Sequence, residues 1–178
     1  MRHIDHPGPV STQRSIAVDC DVEYAEIALA PGSVLLDSLA QALKTRGVCS
    51  AVARLRGGSF DPFVFYMPAI STTPAHAVYF SDRHEPAGPV HLEQAAVTIG
   101  RRDDLPWLHC HGIWHDSDGN RLGGHVLPNE AHIAESITAS IWFLRGASFD
   151  VTPNPETAFS LFEPVETGES SSDTTRGF

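Results

Sequence analysis

Leu105-Pro106-Trp107-Leu108-His109-Cys110-His111-Gly112-Ile113-Trp114-His115-Asp116-Ser117-Asp118-Gly119-Asn120-Arg121-Leu122-Gly123-Gly124-His125 is the stretch from which the fold is read. In an extended strand alternate side chains share a face. His109, His111, Ile113 and His115 therefore point one way and Cys110 the other. The turn decides where His125 goes. A two-residue Asp118-Gly119 loop would set His125 opposite Gly112, on the wrong face. A three-residue loop, Ser117-Asp118-Gly119, puts glycine in the left-handed third position that this loop type favours. Asp116 then faces Asn120, Ile113 faces Gly123 and His111 faces His125. Opposed residues of antiparallel strands have Cβ atoms about 4.5–5.5 Å apart. His109, His111 and His125 thus form a triangle on one face, with Gly123 expected to leave room beside it.

Three neutral imidazoles suit zinc, with bonds of roughly 2.0–2.1 Å and a fourth position open to water or substrate. Nickel, copper or iron, as other transition metals, fit the same nitrogen set. One histidine in a strand is ordinarily a hydrogen-bonded or surface residue. Two at i, i+2 and a third delivered by a matching hairpin make a site. His115 shares the face but lies further along, at the turn, and is a secondary candidate. His132 opens the next strand with its face undetermined. His3, His6, His76, His84 and His91 have no comparable grouping and are expected at the surface. Glu135 lies in an otherwise apolar strand expected to pair with the hairpin. There it would orient a ligand histidine or act as general base, and its plainer reading is an outward-facing strand residue. Glu93 sits similarly at the start of another strand.

Outward from the hairpin, the pattern is mostly period two. Val22 to Ala30 alternates as a strand. Pro31-Gly32 turns the chain, Ser33 is placed to N-cap a helix over Val34 to Arg46, and Gly47 to supply its left-handed C-cap. Leu35, Leu36, Leu39, Ala42 and Leu43 give that helix an apolar stripe. Short strands follow over Ala51–Arg56, Phe63–Met67, Ala77–Phe80, Leu92–Ile99, Trp107–His115, Gly123–Leu127 and Ile133–Leu144. Glu156–Glu163 fits a strand or a short helix. The expected fold class is α/β in the α+β sense: a largely antiparallel sheet with an early helix and a second near the C-terminus. Residues 1–20 read as a loose arm, 21–166 as one domain, and 167–178 as a disordered tail.

Composition narrows the classes of function. The chain has 178 residues with 42% hydrophobic and 19% charged, which is globular rather than disordered. A net charge of −10 opposes non-specific nucleic-acid binding, which depends on cations neutralising phosphates. It equally opposes an anionic membrane surface. No apolar run approaches the ~20 residues of a membrane span, and the start lacks a signal-peptide stretch. Cys20, Cys49 and Cys110 form neither a disulfide framework nor zinc pairs, so a cytoplasmic location is expected. No phosphate-cradling glycine loop is present. The run Asp116 to Asn120 echoes a calcium loop, but its glycine is misplaced and no glutamate closes it.

The sequence resembles the plant and prokaryote conserved (PPC) domain family. The likeness is carried by Leu105-Pro106-Trp107-Leu108-His109-Cys110-His111, Asp118-Gly119, Gly123-Gly124-His125-Val126 and Glu135, with support from Pro31-Gly32, Gly47-Val48, and Glu93 leading to Gly100. The resemblance spans roughly residues 22–145. It implies an antiparallel sheet flanked by helices, a homotrimer, and zinc held by His109, His111 and His125. Plant members join the domain to AT-hooks and bind AT-rich DNA. This chain has no Arg-Gly-Arg-Pro core: Arg56-Gly57-Gly58 and Arg176-Gly177-Phe178 do not read as hooks. Asn129 stands where relatives usually have glycine.

Two functions compete on these grounds. One is a trimeric metal-binding module with a regulatory, DNA-associated role by resemblance, whose partner is a protein or small molecule. In that reading direct DNA contact is disfavoured by charge, and Arg101-Arg102 is cancelled by Asp103-Asp104. The other is a metal-dependent enzyme, hydrolytic in type, acting on a small substrate with Glu135 relaying protons. A cupin-like barrel is a third, weaker reading, since the expected glutamate is absent and an early helix is atypical.

Overall fold

The computed structural model describes residues 5–12 and 15–168. Along the chain run β1 (Asp21–Leu29), α1 (Leu35–Arg46), β2 (Ser50–Arg56), β3 (Ser59–Phe60), β4 (Phe65–Tyr66), β5 (Pro68–Ile70), β6 (Val78–Phe80) and β7 (Val90–Arg102). Then come β8 (Leu105–His115), β9 (Arg121–Val126), β10 (Ile133–Glu135), β11 (Ile137–Arg145), β12 (Ala147–Asn154) and β13 (Phe159–Glu166). The main sheet is ordered β1-β11-β2-β7-β8-β9-β4, and β5 and β6 form a separate hairpin. Its pairings are antiparallel except for one parallel contact, Asp150 with Arg101, between β12 and β7.

Alternation sorts the faces. In β2, Ala51, Ala53 and Leu55 are buried while Val52, Arg54 and Arg56 are exposed. The inner face meets α1, whose Leu35, Leu39 and Leu43 are buried at a spacing of four. These residues join Ile99, Cys110, Trp114, Ile141 and Phe143 in one core cluster. Gly47 ends the helix at φ 65°, and Val48 N–H donates to Leu43 O at 3.2 Å, which closes a Schellman motif.

The start of the helix departs from expectation. Val34, not Ser33, occupies the N-cap position, and no side chain caps it. Ser33 turns back instead: its hydroxyl donates to Ala30 O at 2.7 Å and lies 2.8 Å from Ser38 Oγ. The first helical amides are satisfied from outside, Leu35 N–H by Ala131 O and Leu36 N–H by Pro128 O, both at 3.0 Å. Carbonyls of the segment after β9 thus do the work of the missing cap.

Three other expectations are corrected. The sheet is not flanked by helices: α1 is the one helix among the described residues, and the second helix is replaced by the β12–β13 hairpin. The ambiguous segment before Glu163 is therefore a strand, β13. The single strand expected over Ile133–Leu144 breaks at Ser136. β10 pairs with β3, and β11 crosses to lie between β1 and β2. Residues 5–12 and 15–20 hold no helix or strand, and Gly8 N–H donates to Glu156 O at 2.9 Å. Most of the expected C-terminal tail, 169–178, lies outside the described residues. No helix among those described is long and apolar enough to cross a membrane.

Candidate metal centre

The β8–β9 hairpin has the register that the three-residue loop dictates: His111 opposite His125, Ile113 opposite Gly123. Asp116 N–H donates to Asn120 O at 3.0 Å, and Gly119 sits at φ 80°. The Asp116 carboxylate ties the loop down. It accepts from Asp118 N–H at 3.0 Å, Asn120 N–H at 2.8 Å and Asn120 Nδ2 at 3.0 Å. Those bonds, that of Asn120 Nδ2 foremost, hold its carboxyl below the ordinary range.

The register brings His109, His111 and His125 together. Ring centroids are 4.7 Å apart for His109–His111, 5.0 Å for His109–His125 and 5.1 Å for His111–His125. His125 Nδ1 lies 3.2 Å from His111 Nε2. One nitrogen from each ring can be chosen so that all three lie within 4.8 Å of one another. Burial lowers the proton affinity of all three rings, and mutual proximity adds to it at His109 and His125. His125 is pushed down to about 4. Neutral imidazoles with unshared lone pairs are the form in which histidine ligates a metal. A tetrahedral ion with bonds of about 2.0–2.1 Å holds its ligand atoms roughly 3.4 Å apart, so the donor set fits after small side-chain adjustments.

The surroundings differ in part from those expected. Cys110 faces the core, fully buried, and burial pushes its thiol up to about 12, so it is no ligand. Glu135 does not approach the triad, because β10 pairs with β3 rather than with the hairpin. It is exposed, 3.7 Å from His91 Nδ1, and His91 pairs with His115. His115 stands four positions beyond His111 along β8, about 13 Å of strand. His115 is likewise outside the triad, opposite Arg121. Glu93 is held by Arg121 in a two-point ion pair at 2.7 and 3.0 Å. Gly123 lies opposite Ile113 rather than opposite a histidine, and a Cβ there would lie 3.1 Å from Gly112 O. The small residue facing His111 is instead Ala96, across from it on β7.

Sequence reasoning missed the residues that wall the site on its far side. Tyr66 of β4 pairs with His125, and the Phe80 ring lies 4.6 Å from the His125 ring. Beside them a cleft of about 670 Å³ opens, lined by Trp107, Leu105, Leu127, Tyr66, Phe80 and His125 among others. Of the histidines expected at the surface, His84 is exposed with its ring stacked on Phe65 at 4.9 Å, and His76 is half-buried against Phe159 at 5.0 Å. Both arginines of the basic dipeptide are engaged within the chain. Arg101 pairs with Asp150 at 3.0 and 3.1 Å, and Arg102 lies over Trp107 at 5.0 Å.

No family model and no curated protein matches the sequence. Solved structures do. A metal-containing protein from Archaeoglobus fulgidus aligns at 17% identity and TM-score 0.69, over 84% of this chain and 99% of its own. A PPC protein from Pyrococcus horikoshii aligns at 15% identity and TM-score 0.66, over 86% and 100%. A candidate DNA-binding protein from Bacteroides thetaiotaomicron aligns at 14% and 0.59, over 81% and 96%. At these identities the likeness establishes the fold: the chain is built as the PPC proteins are.

Proposed function

We propose that this chain is a PPC-type metal-binding module in which His109, His111 and His125 hold one transition-metal ion, zinc before the others. The observation that carries the reading is the hairpin register, which gathers three imidazoles with lowered proton affinity on one open face. That a structural neighbour is described as metal-containing supports it. Zinc is preferred because three nitrogen donors and an open fourth position suit it without a redox partner. The resemblance to PPC proteins supports a homotrimer, a cytoplasmic location and a regulatory role. A protein or small molecule is the proposed partner. Direct DNA contact is not part of the proposal, because the net charge is −10 and the Arg101-Arg102 pair is already engaged.

A metal-dependent hydrolase is the second reading, favoured by the cleft beside His125. It lacks the base assigned to it. Glu135 is turned to His91, and no carboxylate joins the triad among the described residues. The binding module is therefore the conclusion. Calorimetric titration of metal-stripped protein with zinc should give one site per chain, and light scattering should give three chains per particle. A tight, salt-sensitive mobility shift with duplex DNA would overturn the exclusion of direct contact.

A further inference from the structure

On this acidic surface nearly every arginine is engaged. Among the described residues, Arg46, Arg56, Arg83, Arg101, Arg121 and Arg145 each meet an Asp or Glu oxygen. Arg102 lies over an aromatic ring. Arg54 has neither kind of partner. It stands on the open face of β2, and the strand register places it in one row with the histidines: Glu26, Ser140, Arg54, Ala96, His111, His125. The carboxylate of that row, Glu26, is taken by Arg56 and Ser140, each at 3.2 Å. On the other side only the methyl of Ala96 separates Arg54 from His111. Two strand spacings put their Cα atoms about 9.5 Å apart. Arg54 and His111 together line a hollow of about 390 Å³ with His109, Thr98 and Trp142, and they share a second one of about 360 Å³.

An unpaired guanidinium beside three imidazoles that ligate a cation makes a locally positive patch on a chain of net charge −10. We propose that Arg54 and the triad-bound ion together form a receptor for a small oxyanion, the carboxylate or phosphate group of a ligand seated over Ala96. This inference rests on the metal reading above. The ion supplies one pole of attraction. Arg54 supplies the other, and its planar fork offers paired N–H donors to two oxygens of the group. Ala96 matters because a larger side chain there would fill the space between the two poles.

The test uses cobalt(II)-loaded full-length protein, whose visible bands report on the metal's surroundings, titrated with acetate and, separately, with inorganic phosphate. The expected result is a saturable band shift in the wild type. Arg54→Gln should weaken the anion by about tenfold or more, the loss of one charge-assisted contact, and Arg54→Lys should fall between. Cobalt content and particle mass should stay as in the wild type. Whichever anion saturates at the lower concentration identifies the group. Wild-type anion affinity in Arg54→Gln, or no band shift with either anion, overturns the inference alone. Dissociation of the particle in Arg54→Gln with anion affinity kept also overturns it, and assigns Arg54 to a contact between copies. A protein that takes up no cobalt overturns the metal reading and this inference together.

Discussion

Gly124→Ala should destabilise the protein by displacing β4 from β9. A methyl at Gly124 would lie 2.8 Å from the Tyr66 carbonyl oxygen, 3.1 Å from Phe65 Cδ2 and 3.4 Å from Met67 Sδ. Carbon meets a carbonyl oxygen comfortably at roughly 3.3–3.6 Å, so β4 must retreat by about 0.5 Å or more. β4 is attached to β9 by two residue pairs, Phe65–Val126 and Tyr66–His125, and on its other side Phe65 exchanges backbone hydrogen bonds with His84 at 3.0 and 3.1 Å, so a retreat from β9 is resisted by that second partner. Phe65 is nearly buried and packs edge-on against the fully buried Trp114, with centroids 4.8 Å apart, so the retreat propagates into the core. Overpacking of this kind costs about 1–3 kcal/mol. Relief of glycine's backbone entropy offsets about 0.5–1 kcal/mol. The net loss centres on about 1.3 kcal/mol, or roughly 3–5 °C in Tm for a chain of this size. Thermal unfolding followed by circular dichroism measures it. Gly123→Ala is the internal control: its nearest contact is 3.1 Å from Gly112 O and touches neither β4 nor Phe65. It should melt above Gly124→Ala. A Gly124→Ala protein that melts at or above the wild type, with Gly123→Ala lower, would refute the argument.

Asp116→Ala removes three hydrogen bonds from the hairpin loop and should lower the midpoint of urea unfolding, with weaker zinc affinity as His125 loses its fixed register. Alkylation of the native protein should modify exposed Cys20 quickly and buried Cys110 only after unfolding; mass spectrometry of timed samples reads this directly. Glu23, Glu93, Asp116 and Glu130 are held below the carboxylate range, by Arg145 and Arg46, by Arg121, by Asn120 and the turn amides, and by Arg83. Each binds fewer protons folded than unfolded. The stability they contribute is therefore present above the usual carboxylate pKa and lost as pH falls through it. Tm measured from about pH 6 down to about pH 3 should fall, and a flat profile would contradict this.

The hairpin was legible because its information is local. Alternation fixed the face of His109 and His111, and one loop length fixed the partner of His125. The helix was legible from its stripe and from Gly47. What escaped was set by distant chain. The helix N-terminus is capped by carbonyls of Pro128 and Ala131, which no local rule about Ser33 could reveal. β12 carries Asp150, Thr152, Pro153 and Asn154 and lacks a clean apolar alternation, yet it pairs along its length with β13. Glu135 was misplaced because the strand breaks at Ser136 and its first part joins β3; from sequence, Ile133 to Leu144 reads as one apolar run. Tyr66 and Phe80 lie far from the hairpin in sequence; the pairing of β4 with β9 brings Tyr66 to His125, and the β5–β6 hairpin that follows brings Phe80 back to the same ring. The free guanidinium of Arg54 is likewise a property of the register across six strands.

The central claim is that His109, His111 and His125 hold one metal ion. Its most direct test is the metal content, by elemental analysis, of protein purified without a histidine tag, beside the His111→Ala variant. Near-stoichiometric zinc in the wild type, lost in the variant while the circular dichroism spectrum is retained, is the predicted result. A wild type free of metal even after zinc is supplied, or a His111→Ala protein that keeps its full complement, would contradict the account.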